Sequence, residues 1–226
     1  MMTLPPSTQV ADMNKWMVDK LAADLFVSSV WQNPVADELE DMATSSFTEF
    51  GSTAISLGTG LLCGCTTLVI ISRKGVYMAH YWESMSFDPN EDWLEEYGTV
   101  DDCFKKTFIK GLTEGISGEQ VPLKASEIED TTIRAYLMIP SETADGDANG
   151  YRKQWDEIKT TVNKLVPTLG TGDRWEEVKY VVVENDWRTL RTTARGRVLF
   201  KYDPDQNGMK KAALWTEYTQ QHDDDW

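Results

Sequence analysis

Apolar positions along this chain follow two periods, and the switch between them marks the expected elements. Met13, Trp16, Met17, Leu21 and Leu25 recur at helical spacing, which predicts a helix running through Phe26 behind a flexible tail at residues 1–8. Asn33 and Pro34 offer a second helix start, with Val35, Leu39 and Met42 as its stripe. From Phe47 to Gly64 isolated apolar residues sit among glycine, serine and threonine, the composition of strand and loop backbone packed closely against something. Then "TTLVIIS" (66–72) and "VYMAHYW" (76–82) flank "RKG", which predicts an antiparallel hairpin. Its first strand is apolar on both faces and should be central and covered.

Further on, Thr99 and Asp102 have the spacing of a capping pair, followed by Phe104, Phe108 and Leu112 on one helical face. "TTIRAYLMIP" alternates Ile133, Ala135, Leu137 and Ile139 with more polar neighbours, as a half-buried strand ending at Pro140 would. A polar loop, "SETADGDANG", precedes Tyr151, Trp155, Ile158, Val162 and Leu165, the best amphipathic helix in the chain. "EEVKYVVVEN", "GRVLFKY" and "KKAALWTEY" read as strands, the last two joined around "DPDQNG", and residues 220–226 as a solvated, flexible tail. Helices and strands come in irregular order without repeated βαβ units. The expected fold is therefore α+β, with a mixed or antiparallel sheet or sandwich core and helices packed outside, built from roughly six to eight strands and four helices.

Composition narrows the field. With 226 residues the chain suits one domain spanning 1–226. Hydrophobic residues make up 41% and nine are tryptophans, so the core should be rich in aromatics. A formal charge of −15 would repel a phosphate backbone, which argues against nucleic acid as a partner and tolerates a basic protein surface. The opening residues lack a basic segment followed by an apolar one, and no apolar run reaches the roughly 18 residues that a membrane span needs. The expectation is a soluble protein without a membrane partner, cytoplasmic or exported by a route the sequence does not display.

Three cysteines, Cys63, Cys65 and Cys103, cannot all pair, and the first two are too close for a stapling bridge. A nucleophilic thiol needs a base, and only His80 and His222 are present. His222 stands among aspartates in the expected tail, leaving His80 in its apolar strand. Taken alone, a strand histidine beside buried cysteines is more often structural than catalytic.

The stretch "LLCGCTT", with Cys65 after Gly64 and His80 fifteen positions on, resembles the catalytic segment of the cytotoxic necrotizing factor-like glutamine deamidases. Their signature is Leu-Ser-Gly-Cys followed by a strand, a turn and a strand carrying histidine. Chemoreceptor glutamine deamidases and a bacterial lethal factor acting on translation initiation share that core, and both use a threonine six positions before the cysteine. Thr59 occupies that position here. The likeness spans about residues 57 to 82 and departs from the signature at Cys63, which stands in place of serine.

The resemblance implies a catalytic set of Cys65, His80 and Thr59, with a backbone carbonyl as the alternative to Thr59 for orienting the imidazole. It implies a protein substrate carrying a glutamine, in the way that relatives modify small GTPases or translation and signalling factors. Hairpin geometry sets a condition on it. With a turn at Arg73 to Gly75, His80 lies opposite about residue 68, which leaves Cys65 about 10 Å further along at ~3.3 Å per residue. Cys65 must then curl back through the glycine-rich entry, where bent backbone offers amides for an oxyanion hole.

Other chemistries fit less well. Cys63, Cys65, Cys103 and His80 match no usual zinc spacing, and the position that would close a calcium loop at Asp203, Asp205 and Asn207 is Leu214. No metal or cofactor is expected. The rival of a different class is a non-catalytic protein-binding module that keeps the deamidase scaffold, with Trp82, Trp93, Trp155, Trp175 and Trp215 either in the core or at a contact surface.

Overall fold

The computed structural model describes residues 2–23, 25–26, 43–60, 62–118, 120–141, 150–182 and 192–226. The expected helix at Pro34 and most of the expected 141–150 loop lie outside them. The chain divides into two bodies: Met1–Val27, Phe50–Cys63 and Tyr180–Trp226 form the first, Ser28–Glu49 and Gly64–Lys179 the second. Each is built on one five-stranded sheet, so the architecture is α+β, with ten strands among the described residues.

The first body carries α1 (Val10–Ala23), β1 (Leu25–Phe26), β3 (Ile55–Thr59), β8 (Val198–Gln206), β9 (Met209–Thr216) and β10 (Thr219–Asp225), its sheet running β1-β3-β8-β9-β10. Helix α1 ends at Ala23, short of Phe26, because Leu25 and Phe26 pair in parallel with Leu57 and Gly58. Its face packs Met13, Trp16, Met17 and Leu21 against Leu199, Ala213 and Trp215, with the Trp16 and Trp215 rings edge to face at 5.0 Å. Gly58 is required here, since a Cβ would overlap the Leu21 side chain and stand 2.8 Å from the Val198 carbonyl. The expected β8–β9 hairpin turns on Asn207 and Gly208, both at positive φ, the signature of a tight two-residue connection.

Both expected tails make contacts. Met2 is buried and its N–H donates to Gln206 Oε1 at 2.7 Å. Residues 220–226 are mostly strand: β10 pairs antiparallel with β9, and Lys211 reaches both Asp223 and Asp225 across it. That pairing is what draws so polar a segment into a sheet.

The second body holds β2 (Ala43–Glu49), β4 (Thr66–Ile71), β5 (Gly75–Tyr81), β6 (Arg134–Ser141) and β7 (Trp175–Val181) in the order β2-β5-β4-β6-β7. As expected, β4 is central, with every residue buried. Strand β6 runs one residue past Pro140 and is covered on both faces, Tyr136 and Met138 being as buried as Leu137 and Ile139. One face of the sheet, with Leu68, Ile70, Tyr77, Ala79 and Tyr81, receives the helices α2 (Glu91–Tyr97), α3 (Val100–Phe104), α4 (Lys110–Thr113), α5 (Ala125–Ile128) and α6 (Arg152–Leu165). The Thr99–Asp102 capping box forms as read. Between α3 and α4 the backbone widens into a π-helical turn at Lys105–Ile109, and a second such turn, Glu83–Phe87, follows β5. Trp155, Ile158 and Val162 bury the apolar stripe of α6. Of the five tryptophans weighed as core or contact residues, Trp93, Trp155 and Trp215 are buried, and Trp82 and Trp175 pack half-buried on the core.

Candidate functional site

Cys65 and His80 belong to one hairpin. His80 on β5 stands between Thr44 of β2 and Thr67 of β4, which are its cross-strand partners. Cys65 is two residues before Thr67, where β4 has not yet begun. The register is therefore one residue closer than expected, which leaves Cys65 two residues from the partner of His80, about 6.6 Å along an extended strand.

The curl at the entrance is made by Gly64, whose φ of 127° is open in practice only to glycine. A Cβ there would also overlap the Glu83 carboxylate. Glu83 opens the π-helical turn after β5, so the strand that bears His80 sends its next acidic residue back over the turn that bears Cys65. The Tyr151 hydroxyl, just ahead of α6, donates to Glu83 Oε1 at 2.7 Å. On the other side of Cys65, the Trp155 indole N–H donates to Thr66 Oγ1 at 3.2 Å in a buried setting. The two rings meet edge to face at 5.8 Å. One turn of chain at the start of α6 thus holds Thr66 directly and, on the other side of Cys65, the Glu83 carboxylate that lies against Gly64.

Electrostatics follow from burial. His80 is 1% exposed, and loss of water pushes its imidazole down from the ordinary 6.5 to about 3, so it is neutral at pH 7. Trp82 stacks against it at 5.6 Å and 26°. A neutral imidazole accepts a hydrogen bond or a proton but supplies no charge to stabilise a resting thiolate. Cys65 is 4% exposed and Cys63 is partly exposed, and among the described residues none of the three cysteines forms a disulfide.

Thr59 ends β3 in the first body, fully buried and opposite Val198. Cys103 is buried in the second body, its thiol directed at the Trp93 carbonyl at 3.4 Å, and burial raises its proton affinity. His222 lies on β10 opposite Leu214. Among the described residues no group of three or more His, Cys, Asp or Glu side chains forms a metal-binding cluster. Glu83 and Thr66 are not singled out by the sequence; Tyr151 is read there only as stripe, and Trp155 as stripe and as a core or contact tryptophan. The available signal was that Tyr151 and Trp155, one turn apart on an apolar stripe, each carry a polar tip that needs a partner when covered.

No known family model matches this chain. Over 97 residues, 42% of its length, the chain is 31% identical to a glutamate 5-kinase of Vibrio vulnificus (strain YJ016). It is 30% identical over the same length to a glutamate 5-kinase of Vibrio parahaemolyticus serotype O3:K6 (strain RIMD 2210633). The match covers 24% of each relative, so the chain spans about a quarter of the length of the curated relatives it resembles, which is too small a share to carry a family.

Proposed function

We propose that the chain is a cysteine-dependent glutamine deamidase acting on a protein substrate. The observation that supports this reading is the pairing of His80 with Thr67, two residues after Cys65, on a hairpin entered through Gly64 at positive φ. In the proposed reaction the Cys65 sulfur attacks the side-chain carboxamide carbon as its proton passes to the neutral His80. Because burial makes His80 a weak base, attack and proton transfer are concerted, and a free thiolate does not accumulate. The tetrahedral adduct collapses with cleavage of the C–N bond, and His80 returns the proton to the departing ammonia. Water then adds to the thioester with His80 as base, the C–S bond breaks, and the balance is glutamine plus water to glutamate plus ammonia.

The test is incubation with a cell lysate and a mass-spectrometric search for glutamine residues heavier by about one dalton, against a Cys65→Ser control. Shifts that vanish in the control support the reading, and their absence overturns it. The burial of both side chains favours a second reading, a binding module that retains the scaffold. That reading predicts a Cys65 inert toward iodoacetamide when bound and when free. The partial likeness to glutamate 5-kinases supplies a counter-assay: consumption of a nucleoside triphosphate in the presence of glutamate, which thiol chemistry does not predict.

A further inference from the structure

The turn that carries Cys65 holds a carboxylate that the thiol–imidazole reaction does not use. Glu83 comes from the strand end beyond His80, takes a hydrogen bond from Tyr151 at 2.7 Å, and fills the space where a side chain at Gly64 would stand. It is a half-buried negative charge against the residue preceding the nucleophile. Among the described residues, α6 carries Arg152 and Lys153, which pair with carboxylates, and the Arg152 guanidinium also lies over the Trp155 ring at 5.2 Å. Arg152 Nη1 lies 2.7 Å from Glu177 and 3.6 Å from Asp156, and Lys153 lies 2.9 Å from Asp101. His80 is neutral, and Tyr151 donates to Glu83 itself. A carboxylate so placed opposes a second negative charge on the adjacent residue.

We propose that Glu83 is a positioning residue for Cys65: anchored by Tyr151 and lodged against Gly64, its carboxylate fixes the turn and keeps the thiol protonated until a substrate enters. This rests on the reading of Cys65 as the nucleophile. It explains how a thiol beside a histidine is held in the neutral form that His80's burial demands, and why the turn needs glycine.

The test is a pH titration of ultraviolet thiolate absorbance on the full chain, with the Cys65→Ser trace subtracted so that only Cys65 is followed. Glu83→Gln removes the charge and keeps the shape, and it lowers the Cys65 midpoint by about one pH unit. Glu83→Asp keeps the charge but draws it back by one methylene, and it gives a midpoint between the two. Near-ultraviolet circular dichroism checks that each variant is folded. A midpoint that is unchanged or raised in Glu83→Gln, or in Glu83→Asp if the former does not fold, overturns the proposal, because a purely structural glutamate alters stability without altering the thiol. Ammonia release by the wild type is scored separately. Its absence overturns the deamidase reading, while the charge effect is judged on the titration alone.

Discussion

Acid should unfold this protein through His80 before it protonates most carboxylates. In the folded chain the imidazole takes a proton only near pH 3, whereas in the unfolded chain it does so at its ordinary 6.5. Between those values the unfolded state binds one proton more than the folded state, so stability falls as the pH falls, starting at 6.5. The full gap of 3.5 units corresponds to about 5 kcal/mol. Over the first part of that window, pH 7 to pH 5, the same two values give a loss of about 2 kcal/mol. His80 is 1% exposed, so solvent screening removes little of this. The assay is urea denaturation followed by tryptophan fluorescence at half-unit steps from pH 7 to pH 5, on wild type and on His80→Gln. Every other titrating group is common to both, so the difference between the two slopes isolates the imidazole. The wild-type slope should be steeper by up to ~1.4 kcal/mol per pH unit. Parallel slopes would refute the reasoning, since they would mean that His80 is already charged, or already hydrated, in the fold.

Four further outcomes follow from the site. Cys65→Ser abolishes ammonia release and Cys63→Ser retains it; the reverse pattern in a coupled ammonia assay places the nucleophile two residues earlier. Gly64→Ala destabilises by about 1–3 kcal/mol through backbone strain and the collision with Glu83, and part of that loss disappears in a Glu83→Ala background, as chemical denaturation of the four chains would reveal. Thr66→Val strands the buried Trp155 N–H and costs about 1–3 kcal/mol by the same measurement, a loss not expected for a conservative swap at an exposed threonine. Thr59→Val leaves the domain folded and lowers turnover several-fold in the ammonia assay if its hydroxyl orients His80; undiminished turnover assigns that role to a backbone carbonyl.

The central hairpin was legible because β-branched and aromatic runs on either side of "RKG" leave few alternatives, and because an unbroken apolar strand has to be covered twice. The stripe of α6 and the Thr99 capping box were legible for similarly local reasons. Leu25 misled because it continues the spacing of α1, and only pairing with Leu57, distant in the chain, converts it to strand. Phe104, Phe108 and Leu112, four apart each time, carry no mark that the backbone between them widens into a π-helical turn. Strand β10 was invisible since "QQHDDD" has no apolar face and is held by β9 and Lys211. Within the site, Cys65 and His80 rest on the resemblance of "LLCGCTT" and its following strands to the deamidase signature, and the closer register of His80 depends on where the turn places its last hydrogen bond, Ser72 N–H to Gly75. Glu83 and Tyr151 are 68 residues apart, and no local pattern announces their meeting.

The division of the first body among three stretches of chain governs how the protein can be made. Its sheet joins Ile55 to Tyr202 across β3 and β8, so a chain emerging from the ribosome carries β1 and β3 without their main partner until residues beyond 200 have appeared. Residues 64–179, which make up the bulk of the second body, emerge during that interval and are free to condense around β4 and β5 before residue 200 appears. Completion of the first sheet is consequently a late, long-range event, which slows folding and leaves apolar strand edges open to other nascent chains. Synthesis at reduced temperature, or with a holding chaperone present, should raise the soluble yield for this reason, and a truncation before residue 198 should yield aggregates even though it retains every residue of the second body.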